Sequence, residues 1–203
     1  MERIGPRLRL RRAQAEARGV VLLSGGESEA LTRPYLAHAW AERGADLRVQ
    51  APGQARKIAM PGVPDAVTRA AVVHASPTKR SGDFAVLLER LDRAYGPAPG
   101  QTRKPVVLVL DNGPIHTSKA TTKAPAARPW IAVEWLPRYA PELNPIEGTR
   151  RDLKRHHLAH RTFRDADDLD RAIHQAVAAL NQERAVTHPC HDLPKAAEGL
   201  RLA

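Results

Sequence analysis

The sequence predicts a single α/β domain, and three segments of the chain carry that prediction. Residues 104–110 hold a continuous apolar run, which is typical of a central strand covered on both faces. Residues 81–95 place apolar side chains at helical spacing and end at a Gly-Pro-Ala-Pro-Gly breaker. A second helical stripe runs over residues 165–183. Most predicted strands precede the predicted helices in the sequence. The simplest interpretation is one domain in which helices cover a sheet.

The remaining predicted elements are shorter. Apolar or alternating segments predict four further strands, at residues 18–24, 57–60, 66–73 and 131–136. The first of these ends at Gly25 and Gly26, and a turn-rich stretch at residues 61–65 separates the second from the third. Pro145 is suited to the first turn of a further helix.

The charge balance indicates a polyanionic partner. The 203 residues include 32 Lys and Arg against 22 Asp and Glu, which gives a formal net charge of +10. A hydrophobic content of 42% is that of a folded chain, so nucleic acid is the first candidate. Residues 1–17 form a basic arm. Either this arm lies along phosphates, or it is a frayed terminal helix with a solvated face.

Several classes of protein are excluded. The longest apolar runs fall far short of the ~20 residues that a membrane span needs. The single cysteine rules out an internal disulfide framework, and no secretory signal is visible, so the cytoplasm is the expected location. The histidines and the cysteine of the C-terminal part have no coherent zinc spacing and are interpreted as non-ligands: His156, His157, His160, His188, Cys190 and His191.

Two short segments carry candidate chemistry. Residues 111–116 read Asp-Asn-Gly-Pro-Ile-His, and residues 136–147 read Leu-Pro-Arg-Tyr-Ala-Pro-Glu-Leu-Asn-Pro-Ile-Glu. The first places Asp111 at the end of a strand, and the second places Glu147 in the first turn of a helix. Taken singly, Asp-Asn-Gly-Pro is ordinarily a turn, and a first-turn Glu ordinarily complements the helix dipole. The joint pattern favours a shared site.

These segments resemble the catalytic core of the DDE-superfamily transposases, in the mariner-like insertion-sequence branch. The branch pattern is Asp-Asn-x-x-x-His, followed by Leu-Pro-x-Tyr-x-Pro-x-Leu-Asn-Pro-Ile-Glu, and the second motif matches at every fixed position. The resemblance implies a ribonuclease-H-like fold, a mixed sheet flanked by helices. It divides the chain into a basic arm at 1–17, a catalytic domain at 18–184 and a tail at 185–203.

The resemblance also implies a chemistry. Family members use three carboxylates to hold two Mg²⁺ or Mn²⁺ ions, which cut DNA at transposon ends and join the freed 3′ hydroxyls to target DNA. Asp111 and Glu147 would be two of the metal ligands. His116 either orients a catalytic group, contacts DNA, or is a packed or surface histidine. Hard divalent ions prefer oxygen ligands, and a pair of them suits in-line phosphoryl displacement.

DNA is the implied partner, and the basic residues around the second motif are its candidate contacts: Arg138, Arg150, Arg151 and Lys154. Such a protein would associate with the nucleoid. A homodimer or a complex with a full-length transposase is a further expectation.

The sequence departs from the family pattern at two places. The first family carboxylate is usually an Asp followed by Glu after the first strand, and here Gly26 and Glu27 stand at those positions. We therefore expect impaired metal binding and cleavage, which Gly26→Asp should restore in part. The tandem helix-turn-helix modules of the family also have no counterpart before residue 18. A decayed or split transposase gene is expected, and the alternatives are a non-enzymatic DNA-binding or regulatory remnant and a structural domain with no retained role.

Overall fold

The protein is described by a computed structural model, which covers residues 4–51, 53–97, 103–112, 121, 123, 125, 127–137, 143–144 and 146–187. Its first half contains α1 (Ile4–Glu16), β1 (Val21–Ser24), β2 (Gly26–Leu31), β3 (Lys57–Pro64), β4 (Ala71–Val73) and α2 (Ser81–Tyr95). Its second half contains β5 (Val106–Leu110), β6 (Ile131–Trp135), α3 (Ile146–Asp152), a π-helical turn at Leu153–His157 and α4 (Ala166–Thr187). The predicted α/β class is confirmed.

The strands form two ladders that meet at Gly25. In one ladder β5 lies between β1 and β6 and is parallel to both, while in the other β3 lies between β2 and β4 and is antiparallel to both. β1 and β2 are consecutive and are separated by Gly25 alone. A Cβ at Gly25 would overlap the Leu110 side chain, so glycine permits the close approach to β5. The result is one mixed arrangement of strands.

β5 is covered on both faces, as its unbroken apolar sequence predicts. Val106, Leu108 and Leu110 pack in one core with α2, which defines the α2 face of the sheet. Val107 and Val109 belong to a separate buried cluster with Ala15 of α1 and Leu136. This opposite side is called the α3 face below, because Gly26 contacts α3 on this side of the strands. Because side chains alternate along a strand, position in sequence determines which face each later residue takes.

A second core lies beneath α4. The predicted stripe of this helix is buried, and Leu169, Ile173 and Leu180 pack in one cluster with Ile58 and Met60 of β3. α4 is also tied to the sheet by Asn181, which receives a hydrogen bond from the Ala71 amide at 2.8 Å and donates one to its carbonyl at 2.9 Å. The helix predicted at residues 165–183 is thus confirmed, and it extends to Thr187.

The β2–β4 region corrects the prediction in two respects. The predicted turn at residues 61–65 lies largely within β3, and the predicted strand at 66–73 is reduced to Ala71–Val73. Pro61 lies opposite His74, just beyond the end of β4: its carbonyl accepts a bond from the His74 amide at 2.9 Å, and its missing N–H costs only the reciprocal bond at this end of the ladder. The turn instead begins at Asp65, whose carboxylate accepts from the amides of Val67 and Thr68.

The N-terminal segment is a helix held against the sheet. Arg7 and Arg11 of α1 form ion pairs of 2.5 and 3.1 Å with Glu134 of β6, whose side chain is only 5% exposed. The predicted terminal helix is thus present, but two of its arginines are engaged with a buried carboxylate instead of lying on a solvated face. Contact of the basic arm with phosphates stays a prediction. Within the described part of the chain, no helix has the length and apolarity that a membrane crossing requires.

Candidate functional site

The first candidate carboxylate follows β5 directly. Asp111 comes after Leu110, the last residue of the strand, as predicted. The next residue, Asn112, donates a hydrogen bond from Nδ2 to the carbonyl oxygen of Leu136, which follows β6. This bond joins the ends of two neighbouring parallel strands. The Asn of the first motif therefore has a structural role in fixing the chain that leaves the sheet.

The second motif is anchored to the junction of β1 and β2. Asn144 is buried, and its Nδ2 donates to the Gly25 carbonyl oxygen at 2.9 Å. Its Oδ1 accepts a bond from the Ile146 amide at 3.3 Å, which satisfies one of the free N–H groups at the start of α3. One side chain thus positions the helix that carries Glu147 against the backbone beside Gly26. Glu147 lies in the first turn of α3, as predicted.

Gly26 faces α3. The β1–β5 register ends at Ser24 and Val109, and Gly26 and Asp111 each come two residues later. By strand alternation both positions belong to the α3 face. A Cβ built at Gly26 would lie 2.6 Å from Nη2 of Arg150 and 3.1 Å from the Ile146 side chain. The position where a first carboxylate is expected is therefore directed at α3, and a guanidinium lies next to it.

Arg150 connects the acidic groups of this region. Its guanidinium donates a hydrogen bond to Glu147 three residues earlier, and its side chain is only 18% exposed. Burial lowers the pKa of the Arg150 guanidinium. Three carboxylates act on that pKa in the opposite direction: Glu147, Asp111 and Glu27. Asp111 and Glu147 thus both lie within electrostatic reach of one guanidinium, while the two-ion geometry stays a prediction.

Glu27 is engaged elsewhere. Its Oε2 lies 2.6 Å from Nζ of Lys79, and its side chain is 15% exposed. Alternation along β2 directs Glu27 away from the α3 face, which Gly26 occupies. This agrees with the expectation that Glu27 does not replace the missing carboxylate.

The basic residues predicted to contact DNA differ in their surroundings. Arg151 is 64% exposed. Lys154 lies 5.5 Å from the centre of the Tyr35 ring, and burial followed by the charge of Arg150 lowers its pKa. Arg150 points into the site rather than outward. Several predicted residues lie outside the described part of the chain: His116, Arg138, Pro145, His188, Cys190 and His191.

The described residues do not fit a two-metal site. Among them, no group of three or more His, Cys, Asp or Glu side chains is placed to hold a metal ion. Gly26 contributes no ligand, and the space beside it is taken by the positive charge of Arg150. A cation in that space opposes the approach of a divalent ion by direct repulsion.

Comparison with known proteins identifies the family. The family model of the DDE superfamily endonucleases matches residues 21–170. The chain belongs to the DDE superfamily of endonucleases. An uncharacterized 39 kDa protein of insertion element IS630 from Shigella sonnei is 32% identical over 114 residues, which are 56% of this chain and 32% of that relative. The chain thus spans about a third of the length of this relative.

The fold is similar to that of a solved integrase core. The HTLV-2 integrase catalytic core domain in complex with magnesium, in its trimeric form, aligns with a TM-score of 0.51 at 17% identity and covers 79% of this chain and 84% of that one. The Mos1 strand transfer complex aligns with a TM-score of 0.49 at 16% identity, over 91% of this chain and 60% of that one. The predicted ribonuclease-H-like class, a mixed sheet flanked by helices, is confirmed.

Sequence reasoning missed two contributions to the site. Asn112 and Asn144 are fixed positions of the motifs, but a motif match does not show that their side chains bond strand-end carbonyls. The inward direction of Arg150 was also missed. The spacing of three residues from Glu147 was a visible signal for their ion pair. The Arg150 guanidinium approaches Gly26 because of the way α3 packs on the sheet, and the local sequence does not determine that packing.

Proposed function

We propose that this chain is a DNA-binding domain of the insertion-element transposase type in which metal-dependent strand cleavage is impaired. The observation that supports this most strongly is Gly26 beside Arg150, a guanidinium on which Asp111 and Glu147 both act electrostatically. Two carboxylates that share one guanidinium carry too little negative charge to hold two divalent ions. The family chemistry, with Mg²⁺ or Mn²⁺ at Asp111 and Glu147, is the activity from which this site departs.

Duplex DNA is the proposed partner, bound mainly through its phosphates. The net charge of +10 and the basic residues of α3 and the turn after it support this. Phosphate contacts carry little sequence information, and they weaken as salt rises because counterions are released from the DNA. Arg151 is 64% exposed and is the first candidate for such a contact.

Two assays on the unmodified chain test the proposal. In a DNA-binding titration over a series of salt concentrations, the slope of log affinity against log salt should be about −0.9 per phosphate neutralised. Arg151→Ala should reduce that slope by about one contact for every DNA sequence tested. Plasmid incubated with Mg²⁺ or Mn²⁺ should stay supercoiled. Salt-independent binding would contradict the DNA proposal, and metal-dependent nicking that Asp111→Ala abolishes would contradict the proposed impairment.

A regulatory remnant that pairs with a full-length transposase is the competing proposal. It shares the DNA-binding and nicking results given above. Sedimentation of the chain alone, and with a full-length relative, separates the two. A mixed complex would favour the regulatory role, and a monomer that binds DNA would favour the proposal made here.

A further inference from the structure

We infer that the Arg150 guanidinium is the resident cation of the carboxylate site, and that it closes the site to divalent metal even when the missing carboxylate is supplied. This deepens the proposed function and rests on its assignment of Gly26 to the lost carboxylate position. Loss of the ligand alone would leave a weakened metal site. The geometry instead points to a site in which the ion pair of Arg150 with Glu147 neutralises the carboxylate that a metal ion would otherwise bind.

The first support is position. Nη2 of Arg150 lies 2.6 Å from where a Cβ of residue 26 would be, so a side chain at that position meets the guanidinium before anything else. The neighbouring Ile146 contacts, at 3.1 and 3.3 Å, leave a small side chain little other room. At 2.6 Å a Cβ would overlap Nη2, so the flexible end of Arg150 must shift to admit a side chain at position 26. A carboxylate there would still lie beside the shifted guanidinium and pair with it.

The second support is hydrogen-bonding capacity. Arg150 bonds Glu147, yet within the described part of the chain its buried Nε has no hydrogen-bond acceptor. A guanidinium offers five N–H donors and binds carboxylates in pairs of bonds. Arg150 can therefore hold Glu147 and a second carboxylate at once. Its side chain is only 18% exposed, although its partner Glu147 is 62% exposed.

The third support is local charge. Glu147, Asp111 and Glu27 all act electrostatically on Arg150, so the guanidinium already offsets part of the negative charge that would attract a divalent ion. Lys154, whose pKa the charge of Arg150 also lowers, adds a second cation to the same surroundings. A metal ion entering the site would have to displace the Arg150 side chain from Glu147.

The test is a set of variants titrated with Mn²⁺ and followed by the loss of the free-ion signal in electron paramagnetic resonance. The sequence alone predicts partial recovery of metal binding in Gly26→Asp, but with Arg150 beside position 26 this variant alone should bind Mn²⁺ no better than the unmodified chain. Gly26→Asp combined with Arg150→Ala should bind at least about tenfold more tightly than either single variant. Gly26→Asp combined with Arg155→Ala, which removes an exposed arginine of the same helical run, should behave as Gly26→Asp alone.

Thermal unfolding without metal gives a second readout. With Arg150 present, Gly26→Asp should unfold about 2 °C higher than the isosteric Gly26→Asn, because only the carboxylate pairs with the guanidinium. In an Arg150→Ala background Gly26→Asp should unfold at a lower temperature than Gly26→Asn, since the introduced carboxylate is then repelled by the neighbouring carboxylates. If Arg150→Ala fails to fold, Arg150→Gln replaces it in both experiments.

Two results would overturn the inference. One is equal Mn²⁺ affinity for Gly26→Asp with and without Arg150, and the other is an unchanged order of midpoints in the two backgrounds. The proposed function fails by a different result, which is metal-dependent cleavage of DNA by the unmodified chain. A chain that is inactive but gains full metal binding from Gly26→Asp alone would keep the proposed function and refute the role of Arg150.

Discussion

Two glutamates of this protein meet arginines in opposite ways. Glu134 of β6 is 5% exposed and binds Arg7 and Arg11, which come from a distant helix. Glu147 of α3 is 62% exposed and binds Arg150 from its own helix, but there the arginine is the buried partner, at 18%. At Glu134 the carboxylate is enclosed and the cations reach solvent. At Glu147 the cation is enclosed, which places a fixed positive charge inside the candidate site.

The difference separates a structural pair from a functional one. A buried carboxylate must keep its partners, since removing them leaves an unpaired charge in a poorly solvated place. An exposed carboxylate loses little when its partner leaves. Stability should therefore depend on Glu134, whereas the response of the site to divalent metal should depend on Arg150.

The largest expected effect is that of Glu134→Gln. The change removes the charged partner of both α1 arginines and should cost about 2 kcal/mol in the free energy of unfolding. Urea denaturation measures this, and faster hydrogen exchange in α1 should accompany the loss. A cost under about 0.5 kcal/mol would show that α1 is held by its apolar contacts alone, and the contrast with Glu147 would fail.

Asn144→Ala should have the next largest effect. Its side chain is buried and makes two bonds, to the Gly25 carbonyl and from the Ile146 amide, so its loss should cost about 1–2 kcal/mol. Asn144→Asp separates the two bonds, because it keeps the acceptor for Ile146 and loses the donor to Gly25. Equal stability of Asn144→Asp and the unmodified chain would show that the bond to Gly25 contributes nothing.

A third prediction concerns His74 and the loss of stability in acid. It involves neither Glu134 nor Glu147. Burial lowers the pKa of His74 from 6.5, and Arg90 and His174 lower it further, while Asp83 raises it. The unfolded chain therefore binds the proton more readily than the folded one. The contribution of neutral His74 to the free energy of unfolding is fully present above pH 6.5 and is lost as the pH falls below that value.

Urea denaturation at several pH values between 7.5 and 5 measures this loss. His74→Gln should flatten the pH dependence, whereas His38→Gln, at an exposed histidine, should not. Glu134→Gln and Glu147→Gln should each keep the slope of the unmodified chain. An unchanged slope in His74→Gln would show that another group is responsible.

The smallest expected effect on stability is that of Glu147→Gln. The carboxylate is mostly exposed, so its loss should change the free energy of unfolding by less than about 0.5 kcal/mol. Urea denaturation alongside Glu134→Gln gives the matched contrast. A cost comparable to that of Glu134→Gln would mean that Arg150 needs Glu147 to remain buried, and the two regions would then be alike.

The sequence anticipated the parts of this molecule that local pattern determines. The uniform apolar run of β5 predicted its burial on both faces, and the spacing of Phe84, Leu87, Leu88 and Leu91 predicted α2 within its observed bounds. The motifs placed Asp111 at a strand end and Glu147 in a first helical turn.

Three features escaped sequence reasoning for physical reasons. β2 begins at Gly26 and contains Ser and Glu, so its strand character comes from pairing with β3 rather than from propensity. α1 is fixed by a glutamate more than a hundred residues away, a contact that no local pattern encodes. The direction of Arg150 depends on how α3 docks against the β1–β2 junction, which only the assembled fold defines.

The central claim is that a guanidinium, and no divalent ion, occupies the space between Gly26 and Glu147. Crystals of the unmodified chain soaked in Mn²⁺ and measured near the manganese absorption edge test it directly. The account predicts ordered density for the Arg150 guanidinium beside Glu147 and no anomalous peak between Asp111 and Glu147. A strong anomalous peak at that place, with Arg150 turned away from Gly26, would contradict it.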